Sequence, residues 1–274
     1  LYGEALNVDS IRPFVFLPIP IYNPVLRDLS ASFDGGMLYG SASTEKFGSV
    51  DYKVFYGTLA MDPHHGASEL FNDTGLFSDM GVETMSTDSV AGFSLDWSTP
   101  VNGLKAHVSF SKVSTLASEG TYAFAPVPLE VALDLTFTIV GLEYIRGDWT
   151  FVTEALWQGG DTHASAPPVL TRTTGYGYTS VYLSAARRFG EKWEIGAYHV
   201  HSRNRYPVPG LPRDANNLSD WALSVRYTVN DYIMLKLEGH LIDGYFGIFN
   251  TERNPNPVFE NRTTLIAAKT TLTF

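Results

Sequence analysis

The sequence contains no cysteine, which excludes disulfide bonds, thiolate metal sites and a cysteine nucleophile. It also has no run of about 18 consecutive apolar residues, the length that a membrane-spanning helix needs, so a helical membrane protein is excluded. Basic residues are few, because 19 Lys and Arg stand against 29 Asp and Glu, for a formal net charge of -10. This charge argues against nucleic acid as a partner.

Common catalytic motifs are absent as well, namely Gly-x-Ser-x-Gly, the phosphate-binding P-loop and His-Glu-x-x-His. Two histidine pairs, His64-His65 and His199 with His201, each offer two metal ligands, but neither has a third ligand at a diagnostic spacing. The sequence therefore predicts no catalytic residue, no metal site and no cofactor.

Aromatic residues and glycine are abundant, with 15 Tyr, 17 Phe, 5 Trp and 24 Gly, as suits twisted strands, turns and interfacial girdles. After residue 35, apolar and polar residues alternate in segments well above the roughly 5 to 6 residues of a soluble strand. Their lengths suit tilted strands that cross a bilayer. The predicted strands are residues 36–44, 47–59, 89–98, 103–114, 131–145, 149–158, 176–189, 193–203, 218–229, 232–245 and 262–274.

Short and long connections alternate between these strands. The short ones carry the Gly, Asn, Asp and Pro that tight turns demand, whereas the long ones span residues 60–88, 115–130, 159–175, 204–217 and 247–261. Outer-membrane barrels arrange their periplasmic turns and extracellular loops in this way. The segment 60–88 has no Lys or Arg among its many acidic residues, so we expect an external acidic loop.

The C-terminal strand ends on an aromatic residue. Phe274, Leu272 and Ile266 share one face, and Lys269 lies on the other. This ending resembles the closing strand of Gram-negative outer-membrane β-barrels, which implies that Leu272 and Phe274 form a signal for the barrel assembly machinery. It also implies contact with outer-membrane lipid and lipopolysaccharide. The alternative is a soluble all-β protein that ends on an edge strand.

Residues 1–35 hold Pro13, Pro18, Pro20 and Pro24, which forbid a helix interior and a central strand. Several short runs in this segment resemble a group of poorly characterised Gram-negative porins. These runs are Arg12-Pro13-Phe14, Leu17-Pro18, Tyr22, Arg27-Asp28-Leu29 and Asp34-Gly35, and Leu1-Tyr2-Gly3-Glu4 resembles the tail of the preceding strand. The resemblance implies a loop that folds inward and constricts the pore, with Arg12, Arg27, Asp28 and Asp34 at the constriction. The alternative is a surface loop packed on its own apolar residues.

These observations predict an all-β fold, a transmembrane antiparallel up-and-down β-barrel with a long inward-folded loop over residues 1–35 and the strands over 36–274. The last strand must run toward the periplasm, so an even-stranded barrel needs an odd number of strands before residue 36. The prediction is therefore 12 or more strands, and the porin resemblance favours 16 to 18 in an intact protein that has lost its N-terminal strands here.

Alternation also predicts a charged interior. In lipid a central Arg or Lys would cost roughly 2 to 4 kcal/mol, whereas in an aqueous channel the cost is small. The alternative is that these side chains pair across strands and only tie the wall together. The predicted pore-lining residues are Lys53, Lys105, Asp134, Glu143, Glu154, Arg188, Arg226, Lys236, Glu238 and Lys269.

Two finer expectations concern this interior. Asp134 and Glu143 have opposite parity on one strand, so we expect a β-bulge near Gly141. Arg226, Lys236 and Lys269 come from consecutive strands and should form a basic arc, with the acidic residues of earlier strands on a separate arc.

The function predicted from the sequence is an outer-membrane porin for passive diffusion of ions and small hydrophilic solutes. Two alternatives stay open. One is a barrel enzyme of the lipase or protease type, which a Ser-His or Asp-His contact at the rim would support. The other is a barrel that encloses a partner protein, and a homo-oligomer is a further partner that such a wall could accommodate.

Overall fold

The computed structural model describes residues 12–18, 20–22, 33–59, 61–63, 68, 71–72, 76–207, 212–246 and 260–273. This part of the chain is almost entirely β-structure, with a single-turn 3-10 helix at Arg213–Asn216. The strands are β1 (Asp34–Thr44), β2 (Gly48–Thr58), β3 (Phe77–Ser86), β4 (Ser89–Ser98), β5 (Leu104–Tyr122), β6 (Pro128–Arg146), β7 (Trp149–Ala166), β8 (Leu170–Phe189), β9 (Trp193–Asn204), β10 (Asn217–Asn230), β11 (Ile233–Gly244) and β12 (Arg262–Leu272).

The strands form one antiparallel sheet in which each strand pairs with its neighbour along the chain from β4 to β12, and β1 pairs with β2, which pairs with β4. Short turns join β1–β2, β4–β5, β6–β7, β8–β9 and β10–β11 at one end of the sheet. At Gly103, in the β4–β5 turn, φ is +81° and a Cβ would lie 1.9 Å from the carbonyl oxygen of Ile145. Only glycine fits such a position. The predicted up-and-down order is confirmed.

All eleven predicted strands are present, but the structure corrects three of the predicted loops. The central strands β5 to β8 are 18 to 20 residues long, because residues expected in loops extend the two hairpins beyond the rest of the sheet. The segment expected to be an acidic loop contains β3, which pairs with the far half of β5. Strands β3 and β4 both pair with β5 on the same side, β4 with its first half and β3 with its second half.

The predicted bulge near Gly141 is wrong, because β6 keeps one alternation over its whole length and buries the odd-numbered positions. The irregularity lies in β5, between Val113 and Leu116, where Thr115 has a φ of +52°. The backbone N–H of Thr115 donates to Asp134 Oδ1 at 3.0 Å. Asp134 is therefore exposed on the opposite face from Leu135, and its prediction as an inward residue is corrected.

The two faces of the sheet have opposite character. The outer face, which carries Leu237 and Trp221, exposes large apolar side chains on nearly every strand. The inner face carries the buried Glu154, Glu238 and Lys236. A soluble protein has the reverse polarity, so this sheet is the wall of a transmembrane β-barrel.

Aromatic residues mark the depth of the wall. Trp149 and Trp157 are both exposed on the outer face of β7. They are eight residues apart, which is about 26 Å along the strand and about 20 Å along the membrane normal at a tilt of about 40°. This spacing suits the aromatic girdles at the two edges of an apolar band. No helix in the described residues is long and apolar enough to cross a membrane.

The extended hairpins bury an apolar cluster on their inner face. Leu116, Leu129 and Val131 come from β5 and β6, and Phe71, from the connection between β2 and β3, covers them with 1% of its own surface exposed. These side chains are packed against each other and leave the other strands to carry the polar part of the interior.

Replacing Thr115 by glycine should stabilise the protein by about 1 kcal/mol or less, because a non-glycine residue at a positive φ is strained. The urea concentration at the midpoint of unfolding, measured in detergent, reports the change. Thr174→Gly is the matched control at an exposed position of β8, where glycine should destabilise the strand. Destabilisation by Thr115→Gly would contradict the assigned bulge.

Candidate functional site

The inner face of β7 to β11 holds a segment from the start of the chain, residues 12–18 and 20–22, which we call the inner segment. Its prolines keep it out of the sheet, and a turn forms where the N–H groups of Ile21 and Tyr22 both donate to Pro18 O at 3.0 Å. The ring of Phe14 meets that of Tyr198 edge-on at 5.2 Å. Close approach is possible because β9 has Gly196 at this point.

Glu238 of β11 holds the backbone of the inner segment. Its carboxylate accepts hydrogen bonds from the N–H groups of Val15 at 2.8 Å and Phe16 at 3.0 Å. His240 lies between this carboxylate and that of Asp220, with ring nitrogens 2.9 Å from each. Glu238 is 1% exposed, so these charge-assisted contacts are shielded from water and correspondingly strong.

Donors on the same face bind the carbonyl groups of the inner segment. Lys236 Nζ donates to Phe14 O at 3.0 Å, and the hydroxyl of Ser224 donates to Pro13 O at 2.7 Å. Together with Glu238, these side chains satisfy consecutive backbone groups that a buried, non-strand segment would otherwise leave unpaired.

The far end of the inner segment is held through Tyr22, whose hydroxyl donates to the buried carboxylate of Glu154 on β7. Burial, followed by the proximity of Tyr182 and Glu154, raises the pKa of Tyr22 well above its usual value, so the hydroxyl keeps its proton. Ile21 packs beside it against Leu156 in a second apolar cluster. The inner segment is therefore anchored at both ends by charge and in between by apolar contacts.

Of the predicted pore-lining residues, Glu154, Lys236 and Glu238 lie on the inner face underneath the inner segment. Lys105 and Glu143 also face inward and form an ion pair at 3.6 Å. Lys53, Arg188 and Lys269 have the inward register and are exposed.

The predicted separation into a basic and an acidic arc holds only in part. Arg226 is opposite Lys236, and Lys236 is opposite Lys269, so these basic residues are neighbours as expected, but acidic residues lie among them. Arg226 forms an ion pair with Glu194 at 3.0 Å, and Lys236 alternates with Glu238 on β11. Opposite charges are therefore neighbours both along β11 and across β9 and β10. The pair of Arg226 with Glu194 agrees with the alternative that such side chains pair across strands.

The residues predicted at a constriction do not all lie in the inner segment. Arg12 is half-buried at the start of the inner segment. Asp34 is instead the first residue of β1, opposite Thr58 and in the outward register of Leu38, so its prediction as a loop residue is corrected. Arg27 and Asp28 lie outside the described residues. In the assembly signal, Leu272 is exposed on the outer face, and Phe274 lies outside the described residues.

The inner face is exposed on the strands at the two ends of the sheet order, β12 at one end and β1 with β2 at the other, and we call these strands together the open strip. Lys269, Tyr39, Asp51 and Lys53 have the inward register there, and all four are exposed. The open strip carries charges of both signs and is accessible to water.

Sequence reasoning missed the roles of Tyr198, Glu194 and Asp220. The two faces of β9 were hard to tell apart in the sequence, because the polar His199 lies on the outer face, where its ring stacks on that of Trp221 with centroids 4.2 Å apart. The strict alternation of buried Glu194, Gly196 and Tyr198 was the available signal. Within the part of the chain that the structure describes, no group of three or more His, Asp or Glu side chains is arranged so that it could hold a metal ion, and His64 and His65 lie outside that part.

No family model matches the sequence, and no curated protein matches it. Among solved structures, it is similar to the toluene transporter TodX of Pseudomonas putida, with 11% identity, 85% of this chain and 72% of TodX covered, and a TM-score of 0.36. The CymD monoaromatic hydrocarbon channel is 11% identical, with 88% of this chain and 77% of CymD covered and a TM-score of 0.38. A porin is 9% identical, with 86% of this chain and 90% of the porin covered and a TM-score of 0.37. Similarity at this level carries no argument about what the chain transports.

The location follows from the wall itself. In lipid, backbone N–H and C=O groups must pair within the protein, and an antiparallel up-and-down sheet with an apolar outer face meets this condition as a β-barrel. Short turns at one end and aromatic girdles are typical of outer-membrane barrels. The protein is an all-β, transmembrane β-barrel protein of the bacterial outer membrane.

Replacing Glu238 by glutamine should release the inner segment, because three donors then compete for a neutral amide oxygen. Hydrogen bonds to a charged group contribute about 1.5 to 3 kcal/mol, so amide exchange at Val15 and Phe16 should accelerate by about 10- to 100-fold. Glu119→Gln is the control, at an exposed carboxylate that accepts from Thr84. Unchanged exchange in Glu238→Gln would show that this carboxylate does not hold the segment.

Proposed function

We propose that the protein is an outer-membrane channel through which ions and small hydrophilic solutes diffuse passively. The observation that carries the proposal is the polarity of the wall, since apolar side chains are exposed on the outer face and charged side chains face inward. Lys53, Arg188 and Lys269 have the inward register and are exposed, as suits an interior that water reaches. A water-containing barrel with a fixed segment beside an open strip has the parts of a constricted diffusion channel.

The permeation path is expected to follow the open strip along β12, β1 and β2. On the opposite side the interior is filled, because the inner segment covers β7 to β11 and the apolar cluster fills the extended hairpins. The inner segment thereby narrows the bore, which is the role predicted for residues 1–35. Its anchoring by Glu238 and Lys236 favours a fixed constriction.

Selectivity should depend on the inward charges that are exposed and not on those that are buried. Arg226 is paired with Glu194, and Lys236 is 3% exposed, so both are poorly placed to act on a passing ion. Lys53 and Lys269 are exposed on the open strip. At physiological salt the Debye length is roughly 8 Å, so these charges act only where the bore is narrow.

The enzyme alternative draws support from two histidine–carboxylate contacts, His107 with Asp96 at 2.7 Å and His240 with Asp220 at 2.9 Å. Both histidines are buried on the inner face, with 6% and 4% exposure, and are therefore poorly accessible to a substrate. His240 is committed to the carboxylates that hold the inner segment. These contacts favour a structural role, so the channel stays the better proposal.

In a planar bilayer the purified protein should give stepwise conductance. Neutralising Lys53 and Lys269 together to glutamine should shift the reversal potential toward cation preference, and the shift should be larger at low salt because screening is weaker. The double variant Lys46→Gln and Lys192→Gln is the control, because it removes the same charge from the short turns.

Two results would contradict the proposal. A protein that inserts into the bilayer without any conductance step is not a diffusion channel. If the control double variant changes the reversal potential as much as the variant on the open strip, the permeation path does not run along that strip.

A substitution under the inner segment tests its part in narrowing the path. At Gly196 a Cβ would lie 2.6 Å from Pro13 Cγ and 2.9 Å from Phe14 Cζ, and β9 is held by pairing on both sides, so the segment must move. The segment lies on the lumen side of β9, so the added methyl group pushes it toward the bore, and Gly196→Ala should lower the single-channel conductance. Gly239→Ala is the control, because a Cβ there meets nothing within 4 Å. Equal conductance of the two variants would argue against a constricting segment.

A further inference from the structure

A row of three side chains lies on the outer face at the end with the short turns. Trp149 is paired with Arg146 across β6 and β7 and with Arg187 across β7 and β8, so the three share one face. All three are exposed. The guanidinium carbon of Arg187 lies 5.2 Å from the centroid of a Trp149 ring and 4.9 Å from that of Phe189. The row thus places two cations beside an indole at the expected edge of the bilayer.

An apolar groove of about 340 Å³ adjoins this row on the same face, and Leu104, Leu142, Phe151 and Leu183 contribute to its walls. The ring of Phe151 also stacks on Trp149 at 5.6 Å with planes 9° apart. Phe151 therefore belongs both to the groove and to the aromatic stack beside the guanidinium groups. The groove runs from the row toward the middle of the membrane, because successive outward residues of β7 line it.

We propose that this surface binds one phospholipid with an anionic head group. Its phosphate would lie between Arg146 and Arg187, whose guanidinium groups suit phosphate oxygens in geometry and charge, and one acyl chain would occupy the groove. The occupant follows from position, since the outer face contacts lipid and the short turns of such barrels are periplasmic, where the facing leaflet supplies the head group.

The charges around the row favour an anion. Along the sequence, the acidic residue next to Trp149 is Asp148, which is exposed in the β6–β7 turn. Glu191 lies in the β8–β9 turn at the same end of the sheet. Two guanidinium groups flank Trp149 against the single carboxylate of Asp148, so positive charge remains for a phosphate. An apolar groove alone would accept any acyl chain, whereas the row adds a preference among head groups.

The test is native mass spectrometry of delipidated protein with phosphatidylglycerol or phosphatidylethanolamine of identical acyl chains. The intact protein should retain phosphatidylglycerol preferentially. The double variant Arg146→Gln and Arg187→Gln should bind phosphatidylglycerol about 30-fold more weakly, the combined effect of two basic side chains near a membrane surface, and lose the preference. The control double variant Lys46→Gln and Lys192→Gln should keep it.

A third variant separates the groove from the row. Val101 is an exposed residue of the β4–β5 turn that also lines the groove, so Val101→Trp should fill it and lower the retention of both lipids. Mobility on an unheated denaturing gel checks that each variant is folded. Equal retention of the two lipids by the intact protein, an equal loss in the control double variant, or full retention by Val101→Trp would each overturn the proposal.

Discussion

The pairing of backbone groups in a solvent without water is the constraint on which this structure depends. Each strand from β2 to β11 except β3 is paired with a strand on both sides, so the N–H and C=O groups in these ladders need no water. Side chains are then free to differ between faces, and the outer face can be apolar while the inner face carries charge. The long register of β7 with β8, from Trp149 opposite Arg187 to Ala166 opposite Leu170, illustrates how complete this pairing is.

Charge in the interior has two different uses. Glu238, Lys236 and Glu154 are withdrawn from water to hold the inner segment, and each has a specific partner there. Lys53 and Lys269 remain in contact with solvent. A buried charge of the first kind is costly to remove because its partners are left unpaired, whereas a charge of the second kind can change without affecting the fold.

Sequence alternation predicted the wall well because the membrane enforces it. In β10, Trp221 and Leu223 must face lipid, and Ala222 and Ser224 must not. Beyond the bilayer no lipid requires an apolar face, so the sequences of β3 and of the extended hairpins do not alternate strictly and resembled loops. The contact between Val15 and Glu238 was not predictable either, because no local pattern relates residues so far apart. The bulge was misplaced since parity alone does not identify which strand carries the extra residue.

The separation along the chain between the inner segment and its anchors has a consequence for assembly. Val15 and Glu238 are 223 positions apart, and Glu238 reaches its place only when β11 has joined the sheet. Contacts of such long range form late, after the loop they close has been shortened by other structure. The inner segment must therefore wait for one of the last strands, so the inner face of β7 to β11 stays uncovered until β11 has joined the sheet.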